Sequence, residues 1–141
     1  MEKSGTILLI DDNPSELRLI EEAYKETNYK HKIKSYDDAS KALDYIKKNI
    51  NELFIIICDI SMPRMDGTQL LEKINEDPKL KLKAVPFIFL SNSNSLRDVE
   101  KAYSLAAQGY FQKPIGSDEM VQMLEAIITY WHLARIPRDG N

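Results

Sequence analysis

The sequence predicts an α/β fold in which helices cover both faces of a parallel sheet. Short apolar runs alternate with amphipathic helical patterns about five times along the chain. One of these runs, Leu53–Cys58, is apolar at every position, as expected for a central strand that is buried on both faces. Right-handed crossovers between parallel strands place the intervening helices over each face, so the alternation indicates a doubly wound sheet.

Five strands are expected, at residues 6–10, 31–36, 53–58, 85–90 and 110–112. The second run alternates polar and apolar side chains, which favours an edge strand. The fourth run carries Pro86 near its start, where a strand tolerates a residue that lacks a backbone N–H.

The first two of five predicted helices have clear starts. Asn13 caps the first helix, with Pro14 at its first position and Glu16 completing a capping box. The second helix follows Asp37 and Asp38. Their apolar faces are expected to bury Leu17, Ile20, Ala23 and Tyr24 in the first helix and Ala39, Ala42, Leu43 and Ile46 in the second.

Three more helices follow, from about Thr68 until Pro78, over residues 95–107, and from Ser117 onward. The lysine-rich segment 79–83 is interpreted as a solvated loop. The last helix has an apolar stripe, which we interpret as core and not as a ligand site: Met120, Met123, Leu124, Ile127, Ile128 and Trp131.

Length and composition favour one globular domain. At 141 residues, with 43% hydrophobic and 29% charged residues, the chain has the size of one domain and is neither disordered nor fibrous in composition. We expect a single domain over residues 1–141, with a core at about 5–131 and a C-terminal extension at 132–141 that frays at its end.

Charge and cysteine content exclude several classes of partner. The net charge of −3 gives no general attraction to nucleic acid or anionic lipid, so neither is an expected partner.

No apolar run approaches the roughly 18 residues of a spanning helix, and no signal peptide is recognised. The lone Cys58 cannot form an internal disulfide, which favours the cytoplasm. His31 and His132 lie far apart in the chain and are interpreted as surface or interface residues.

Chemically active side chains follow four of the predicted strands. Asp11 and Asp12 follow the first, Asp59 the third, Ser91 the fourth and Lys113 the fifth. Because the carboxyl ends of parallel strands share one edge of the sheet, we expect these groups to meet there. Each also has a simpler interpretation: the acids as turn or cap residues, the serine as a helix cap and the lysine as a solvated side chain.

Together, these residues predict a Mg²⁺ site with phosphoryl chemistry. Three clustered carboxylates repel one another unless a cation neutralises them, and Mg²⁺ leaves room for a phosphoryl group. A carboxylate beside such an ion can attack phosphorus to form an aspartyl phosphate. The metal and Lys113 would stabilise charge during in-line transfer, while Ser91 would donate a hydrogen bond to the installed group and draw its loop inward.

At this point the sequence resembles the receiver domain of bacterial two-component response regulators, over essentially the whole chain. The resemblance rests on the pair Asp11-Asp12, on Asp59 followed by the segment 62–67 (MPRMDG), on Ser91 and on Lys113-Pro114. These residues stand in the order and spacing of that family. The resemblance implies a flavodoxin-like fold with strand order 2-1-3-4-5 and five helices.

The resemblance also implies roles for the acidic residues. Asp59 is expected to be the phosphoacceptor. Asp12, Asp59 and the backbone carbonyl of Ser61 are expected to bind Mg²⁺, and Asp11 to assist through water.

The resemblance implies that the remaining site residues stabilise the phosphoryl group or change conformation when it is bound. Ser91 is the expected switch hydroxyl and Lys113 the phosphate-pairing lysine. Tyr110 stands at the aromatic switch position, whose ring turns inward on activation. The family implies a cis peptide bond before Pro114. Asn92 is larger than the residue usual at its position, and we expect it to narrow access to Asp59.

The expected output is a protein-interaction surface. No output module is recognised in the sequence, and family analogy points to the fourth helix, fifth strand and fifth helix. The C-terminal segment is also similar to stand-alone receivers associated with bacterial phytochrome histidine kinases. We hypothesise that Tyr130, Leu133 and Ile136 are exposed anchors of a homodimer.

The sequence therefore predicts a single-domain response regulator. It is expected to accept a phosphoryl group on Asp59 from a histidine kinase or phosphotransfer protein, to catalyse its own phosphorylation and hydrolysis, and to signal to an unidentified downstream protein. One alternative is an interaction module that does not depend on phosphorylation and whose acidic rim is unused.

Two other classes are disfavoured. A phosphatase of the haloacid dehalogenase class needs a nucleophile after the first strand and a second Asp two residues later, which Asp11-Asp12-Asn13 lacks. A flavin-binding protein needs a phosphate-binding loop after the first strand, where these acids would repel phosphate.

Overall fold

The computed structural model describes residues 4–139. Its strands are β1 (Thr6–Ile10), β2 (Lys32–Tyr36), β3 (Leu53–Cys58), β4 (Phe87–Ser91) and β5 (Gly109–Gln112). All pairings are parallel, in the order β2-β1-β3-β4-β5. The predicted α/β class and strand order are confirmed.

Helices cover both faces of the sheet: α1 (Pro14–Lys25), α2 (Ala39–Asn49), α3 (Gly67–Glu76), α4 (Pro78–Lys83), α5 (Leu96–Ser104) and α6 (Ser117–Leu133). Side chains of α1 and α6 share one hydrophobic core, and those of the other four helices share the second. Every residue of β3 is buried between the two cores, as its uninterrupted apolar run predicts. Within residues 4–139, no helix combines the length and apolarity needed to cross a membrane.

The predicted apolar faces of the first two helices are confirmed, since all eight of their named residues are buried. In α6 the stripe packs against the core as predicted, with Met120, Leu124, Ile127 and Ile128 buried. Met123 and Trp131 are partly buried against the same cluster.

Residues 4–139 contain six α-helices where five were expected, because the segment predicted to be a loop forms α4. Pro78 ends α3 but also begins α4, and the Asp77 carboxylate accepts hydrogen bonds from the backbone amides of Lys79 and Leu80. Leu80 is 3% exposed and packs into the core, while the lysines around it face outward. One buried leucine is therefore enough to dock a short, capped helix.

The C-terminal extension departs from the frayed segment that was expected. Ile136 is 6% exposed and joins the core beside α1 and α6, so its predicted role as an exposed dimer anchor is wrong. Its backbone amide donates to Oδ2 of Asp139 at 2.9 Å. Tyr130 and Leu133 are exposed as predicted, and residues 140–141 lie outside the described residues.

Candidate functional site

The carboxyl ends of β1 and β3 bring Asp11, Asp12 and Asp59 together. One carboxylate oxygen from each lies within 4.8 Å of the others; Asp11 is buried, Asp59 half-buried and Asp12 exposed. The amide of Asp59 donates to the carbonyl of Ile10 at 2.8 Å, which continues the β1–β3 hydrogen bonding into the site. The strand-end pattern thus places three acids at one edge of the sheet.

Local hydrogen bonds orient the two less exposed carboxylates. Asp11 Oδ1 accepts from the amide of Asn13 at 2.9 Å, and Asn13 in turn caps α1. Asp59 Oδ1 accepts from the amide of Ile60 at 2.8 Å. These backbone hydrogen bonds use one oxygen of each carboxylate and leave the second oxygen to contact a side chain or an ion.

The start of α3 packs directly against Asp59. Asp66 and Gln69 form a capping box, and Gly67 follows as the first helical residue. A Cβ atom at Gly67 would lie 2.4 Å from the carbonyl oxygen of Asp59 and 2.7 Å from the ring of Phe89. The absence of a side chain at this position allows the helix to approach the site. Asp66-Gly67 therefore forms the start of α3, one residue before the start at about Thr68 that the sequence predicts.

Lys113 reaches the acidic cluster from the end of β5. Its Nζ donates to Asp11 Oδ2 at 2.7 Å, and both side chains are only 3% exposed. The same Nζ lies 3.9 Å from Asp59 Oδ2 and 3.7 Å from Glu16 Oε2. The interpretation of Lys113 as a solvated lysine is therefore wrong.

Glu16 is a part of this cluster that the sequence analysis assigned only to a helix start. Its position in the first turn of α1, four residues after Asp12, is the feature of the sequence that places it near the acidic pair.

The Lys113–Pro114 peptide bond is trans, so the cis isomer implied by the resemblance is wrong. The two isomers of such a bond differ by only about 0.5–1 kcal/mol, and the residue pair alone does not decide between them.

Burial and charge act in opposite directions on the central pair. Burial, helped by the Asp11 carboxylate, raises the pKa of Asp59 although Lys113 and a hydrogen bond from Ser91 favour its ionised form. Burial alone would lower the pKa of Lys113, but its hydrogen bond to Asp11 and the carboxylates of Asp59 and Glu16 outweigh this and raise it. Lys113 therefore stays protonated, while the charge on Asp59 is only partly compensated.

Ser91 lies buried at the end of β4 and connects the site to the following loop. Its Oγ accepts from the amide of Ser93 at 3.2 Å, and Ser93 Oγ donates to Asp98 Oδ2 of α5 at 2.6 Å. The hydroxyl of Tyr110 on β5 donates to the carbonyl of Ser93 at 2.8 Å. Ser93 therefore links Ser91 to Tyr110, a connection that the resemblance alone does not indicate.

Two further predicted residues lie at the rim of the site. Ser61 is exposed in the loop between β3 and α3, and Asn92 is exposed at the start of the β4–α5 loop. Their roles toward a metal ion and toward access remain predictions.

The donor set fits a hard divalent cation. The carboxylates of Asp11, Glu16 and Asp59 lie within 3.9 Å of one ammonium group, and Asp12 adds a fourth carboxylate beside Asp11 and Asp59, which leaves an excess of negative charge. Carboxylate oxygens are the ligands that Mg²⁺ and Mn²⁺ prefer, and bound water completes their coordination. A cation here would offset both the desolvation of the buried Asp59 carboxylate and its repulsion by Asp11.

Sequence comparison relates the chain to response regulators. Residues 7–125 match the family described as response regulator receiver domain. The regulatory protein FilR2 of Methanothrix harundinacea is 28% identical over 131 residues, which cover 89% of this chain and 82% of FilR2. Response regulator Rcp1 of Synechocystis sp. is 26% identical over 130 residues, covering 89% and 87% of the two chains.

Solved structures give the same relationship. The phosphorylated cyanobacterial phytochrome response regulator RcpA superposes with a TM-score of 0.84 at 28% identity, over 96% of this chain and 99% of RcpA. The Mn²⁺-bound form of Rcp1 superposes with a TM-score of 0.79 at 25% identity, over 94% and 99%. Sequence match, topology and the residues at the strand ends agree, and the chain belongs to the response regulator receiver domain family of two-component systems.

Proposed function

We propose that Asp59 accepts a phosphoryl group from a histidine kinase or phosphotransfer protein, and that the phosphorylated chain signals through a protein-interaction surface. The observation that carries the proposal is the position of Asp59, which lies within the carboxylate cluster and 3.9 Å from the Lys113 ammonium. Because one fold supports many functions, the proposal rests on these side chains rather than on the topology.

Asp59 acts as the nucleophile in this proposal. A carboxylate oxygen attacks phosphorus and the bond between phosphorus and the donor imidazole nitrogen breaks. The electron pair stays on that nitrogen, and the ring leaves as neutral imidazole with a proton that it already carries on its other nitrogen or takes from solvent. Lys113 supplies a fixed positive charge beside the reacting oxygens because its ion pair with Asp11 holds it in place. Water attack on the acyl phosphate would reverse the modification, so we propose that the chain also catalyses its own dephosphorylation.

Mg²⁺ is the proposed cofactor. Asp11, Asp12, Asp59 and the backbone carbonyl of Ser61 would hold it, with Asp11 acting through water. When bound, the ion neutralises the carboxylate cluster and provides positive charge for the phosphoryl oxygens. The Mn²⁺-bound form of the related Rcp1 supports an oxygen-preferring divalent ion at this edge of the sheet.

Ser91 and Tyr110 are the proposed switch. A hydrogen bond from Ser91 to the phosphoryl group would pull the β4–α5 loop inward. Because Ser93 connects this loop both to the Tyr110 hydroxyl and to Asp98 of α5, its movement would be transmitted to β5 and α5. The proposed signalling surface therefore comprises α5, β5 and α6.

A homodimer is part of this proposal. Tyr130 is 63% and Leu133 82% exposed near the end of α6, and such apolar side chains are typical of contact surfaces. Sedimentation with and without a phosphoryl mimic tests the homodimer, and a monomer under all conditions would exclude it.

The single cysteine, Cys58, is buried and supports the cytoplasm as the proposed compartment.

Intact-mass measurement after incubation with acetyl phosphate and Mg²⁺ tests the phosphoacceptor role. We expect one phosphoryl adduct, which disappears without Mg²⁺ or in the Asp59→Asn variant. The Asp44→Asn variant, which alters an exposed carboxylate of α2, serves as a matched control and should keep the adduct.

A second donor separates a restricted site from an inactive one. If Asn92 excludes the small donor, Asn92→Ala should increase the adduct, and histidine-phosphorylated proteins should modify the wild-type chain. Failure with both donors in both proteins would overturn the proposal and favour an interaction module that is independent of phosphorylation.

A further inference from the structure

The two histidines of the chain meet at the end of the sheet opposite Asp59. His31 lies just before β2 and His132 in the last turn of α6, 101 positions apart in sequence, but their Nε2 atoms are 2.7 Å apart. Both residues, which the sequence places on the surface or at an interface, are partly exposed and contact each other despite their separation in the chain. Their contact joins the beginning of an edge strand to the end of the final helix.

Neighbouring aromatic groups hold both imidazoles in place. The ring of His31 stacks on the fully buried Phe54, with centroids 4.5 Å apart, and Tyr29 stacks on His132 at 4.7 Å. The Tyr29 hydroxyl also lies 2.6 Å from Thr129 Oγ1 of α6. The backbone amide of His31 donates to the hydroxyl of Tyr24 on α1. The pair thus belongs to an ordered junction rather than to a loose surface.

The hydrogen bonds limit how many protons the pair can hold. Nδ1 of His31 lies 2.8 Å from the carbonyl oxygen of Gly5, which only accepts, so this nitrogen carries a proton. Between the two Nε2 atoms there is room for one proton, because one nitrogen must donate and the other must accept. The contact is therefore compatible with a charge of zero or +1 on the pair, and incompatible with two imidazolium rings.

We propose that His31 and His132 form a proton-operated latch that holds the end of α6 against the start of β2 and opens when solvent supplies the second proton. Two imidazolium N–H groups would then face each other, and the rings must separate. Release would loosen the last turn of α6 and the segment that follows, including the docked Ile136. It would also alter the surface that carries Tyr130 and Leu133.

Other charged groups at the junction act on the same equilibrium. A cleft of about 820 Å³ beside the pair is lined by Lys30 and Lys32 from the start of β2 and by Glu52 from the turn before β3. The two lysines oppose positive charge on the histidine pair, whereas Glu52 favours it. Burial raises the pKa of Tyr24, so its hydroxyl stays a neutral hydrogen-bond partner of the His31 backbone in the range where histidine titrates.

Imidazole NMR between about pH 8 and pH 5 tests the latch, because this range covers the ordinary titration of histidine. The chain has two histidines, so every imidazole signal reports on the pair. We expect two separated protonation steps, with the second accompanied by a fall of about tenfold or more in amide-exchange protection factors for residues 129–136. Repeating the measurement in the Asp59→Asn background removes the titration of the phosphoacceptor.

Two variants distinguish the latch from a simple packing contact. In His132→Gln, the amide can turn to donate to or accept from His31, so we expect a single histidine titration and protection factors independent of protonation. Thr129→Val removes a neighbouring hydrogen bond without removing a titrating group; it should lower protection at every pH and keep two steps. Two independent histidine titrations with constant protection in the wild type, or acid-induced loss of protection in His132→Gln, would overturn the proposal.

Discussion

Burial of the Asp59 carboxylate opposes its ionisation, while Lys113 favours it. The pKa of Asp59 in the folded chain is raised above that of an exposed aspartate, so its stabilising contribution is present below the unfolded pKa. That contribution is lost as pH rises through the folded pKa. At neutral pH without a divalent cation, the charge on Asp59 therefore reduces the stability of the fold, and a cation bound beside it would offset this loss.

Asp59→Asn should raise the thermal unfolding midpoint in EDTA by a few degrees, because it removes the partly compensated charge. Asparagine keeps an oxygen that can accept the hydrogen bond from Ile60. The variant should also lose much of the stabilisation that Mg²⁺ gives to the wild type. Thermal melts of wild type, Asp59→Asn and the surface control Asp44→Asn measure both effects. A lower midpoint for Asp59→Asn in EDTA would contradict this interpretation.

Lys113→Met should destabilise the fold by about 3–5 kcal/mol, because it leaves the buried Asp11 carboxylate without its partner. Lys101→Met is the matched control, since Lys101 lies 3.9 Å from Glu72 in a pair whose side chains are 52% and 45% exposed. Such an exposed pair is worth about 0–1 kcal/mol. Urea unfolding measures both values, and equal losses would show that burial does not distinguish the two pairs.

At the scale of elements, the site depends on how closely α3 approaches the end of β3. The capping box at Asp66 and Gln69 sets the start of the helix, and the hydrogen bond from the Gly67 amide to the carbonyl of Ile60 at 3.0 Å closes the connection. The loop with Ser61 lies between these points. Helix capping and the position of Asp59 are therefore coupled through the backbone of one short segment.

Gly67→Ala should cost about 1–3 kcal/mol, because its Cβ would overlap the backbone of Asp59 and the ring of Phe89. It should also weaken Mg²⁺ binding by displacing Asp59. In the control Gly116→Ala, the Cβ meets only the carboxylate end of Glu119, a flexible side chain that can move away. Chemical unfolding and Mg²⁺ titration compare the variants. Unchanged stability of Gly67→Ala would contradict the close packing of α3.

At the scale of the whole molecule, the two faces of the sheet have separate hydrophobic cores. The C-terminal segment completes the core beside α1 and α6, because Ile136 returns to it after α6 ends at Leu133. The contact between His31 and His132 joins the end of α6 to the start of β2. Within the described residues, the segment after α6 is therefore held against this core by Ile136, a few residues from the exposed Tyr130 and Leu133.

Ile136→Ala should destabilise the chain by about 2–5 kcal/mol, as expected for truncation of a buried isoleucine. Leu133→Ala, three residues earlier, should change stability by no more than about 0.5 kcal/mol, because Leu133 is 82% exposed. Urea unfolding of both variants measures the difference. Comparable small losses would mean that Ile136 does not contribute to the core in solution.

The sequence by itself determined the sheet, the starts of every helix except α4, and the acidic edge. Hydrophobic periodicity reports burial directly, which is why Leu53–Cys58 and the face of α1 were predicted correctly. Parallel strands end at one edge, so Asp11, Asp59 and Lys113 could be placed together from their positions alone. The roles of Ser61, Asn92 and Tyr110 stay predictions, because they depend on a bound ion or a phosphoryl group.

Tertiary structure alone decided the features that depend on contacts between distant parts of the chain. Leu80 lies in a lysine-rich segment that also contains the exposed Leu82, and Ile136 follows Arg135 in the C-terminal segment. No local pattern tells whether a core site is available to receive either buried side chain. The distance from Glu16 to Lys113 and the contact of His31 with His132 join residues on different elements. Local sequence sets which faces are apolar, whereas packing geometry sets which individual side chains meet.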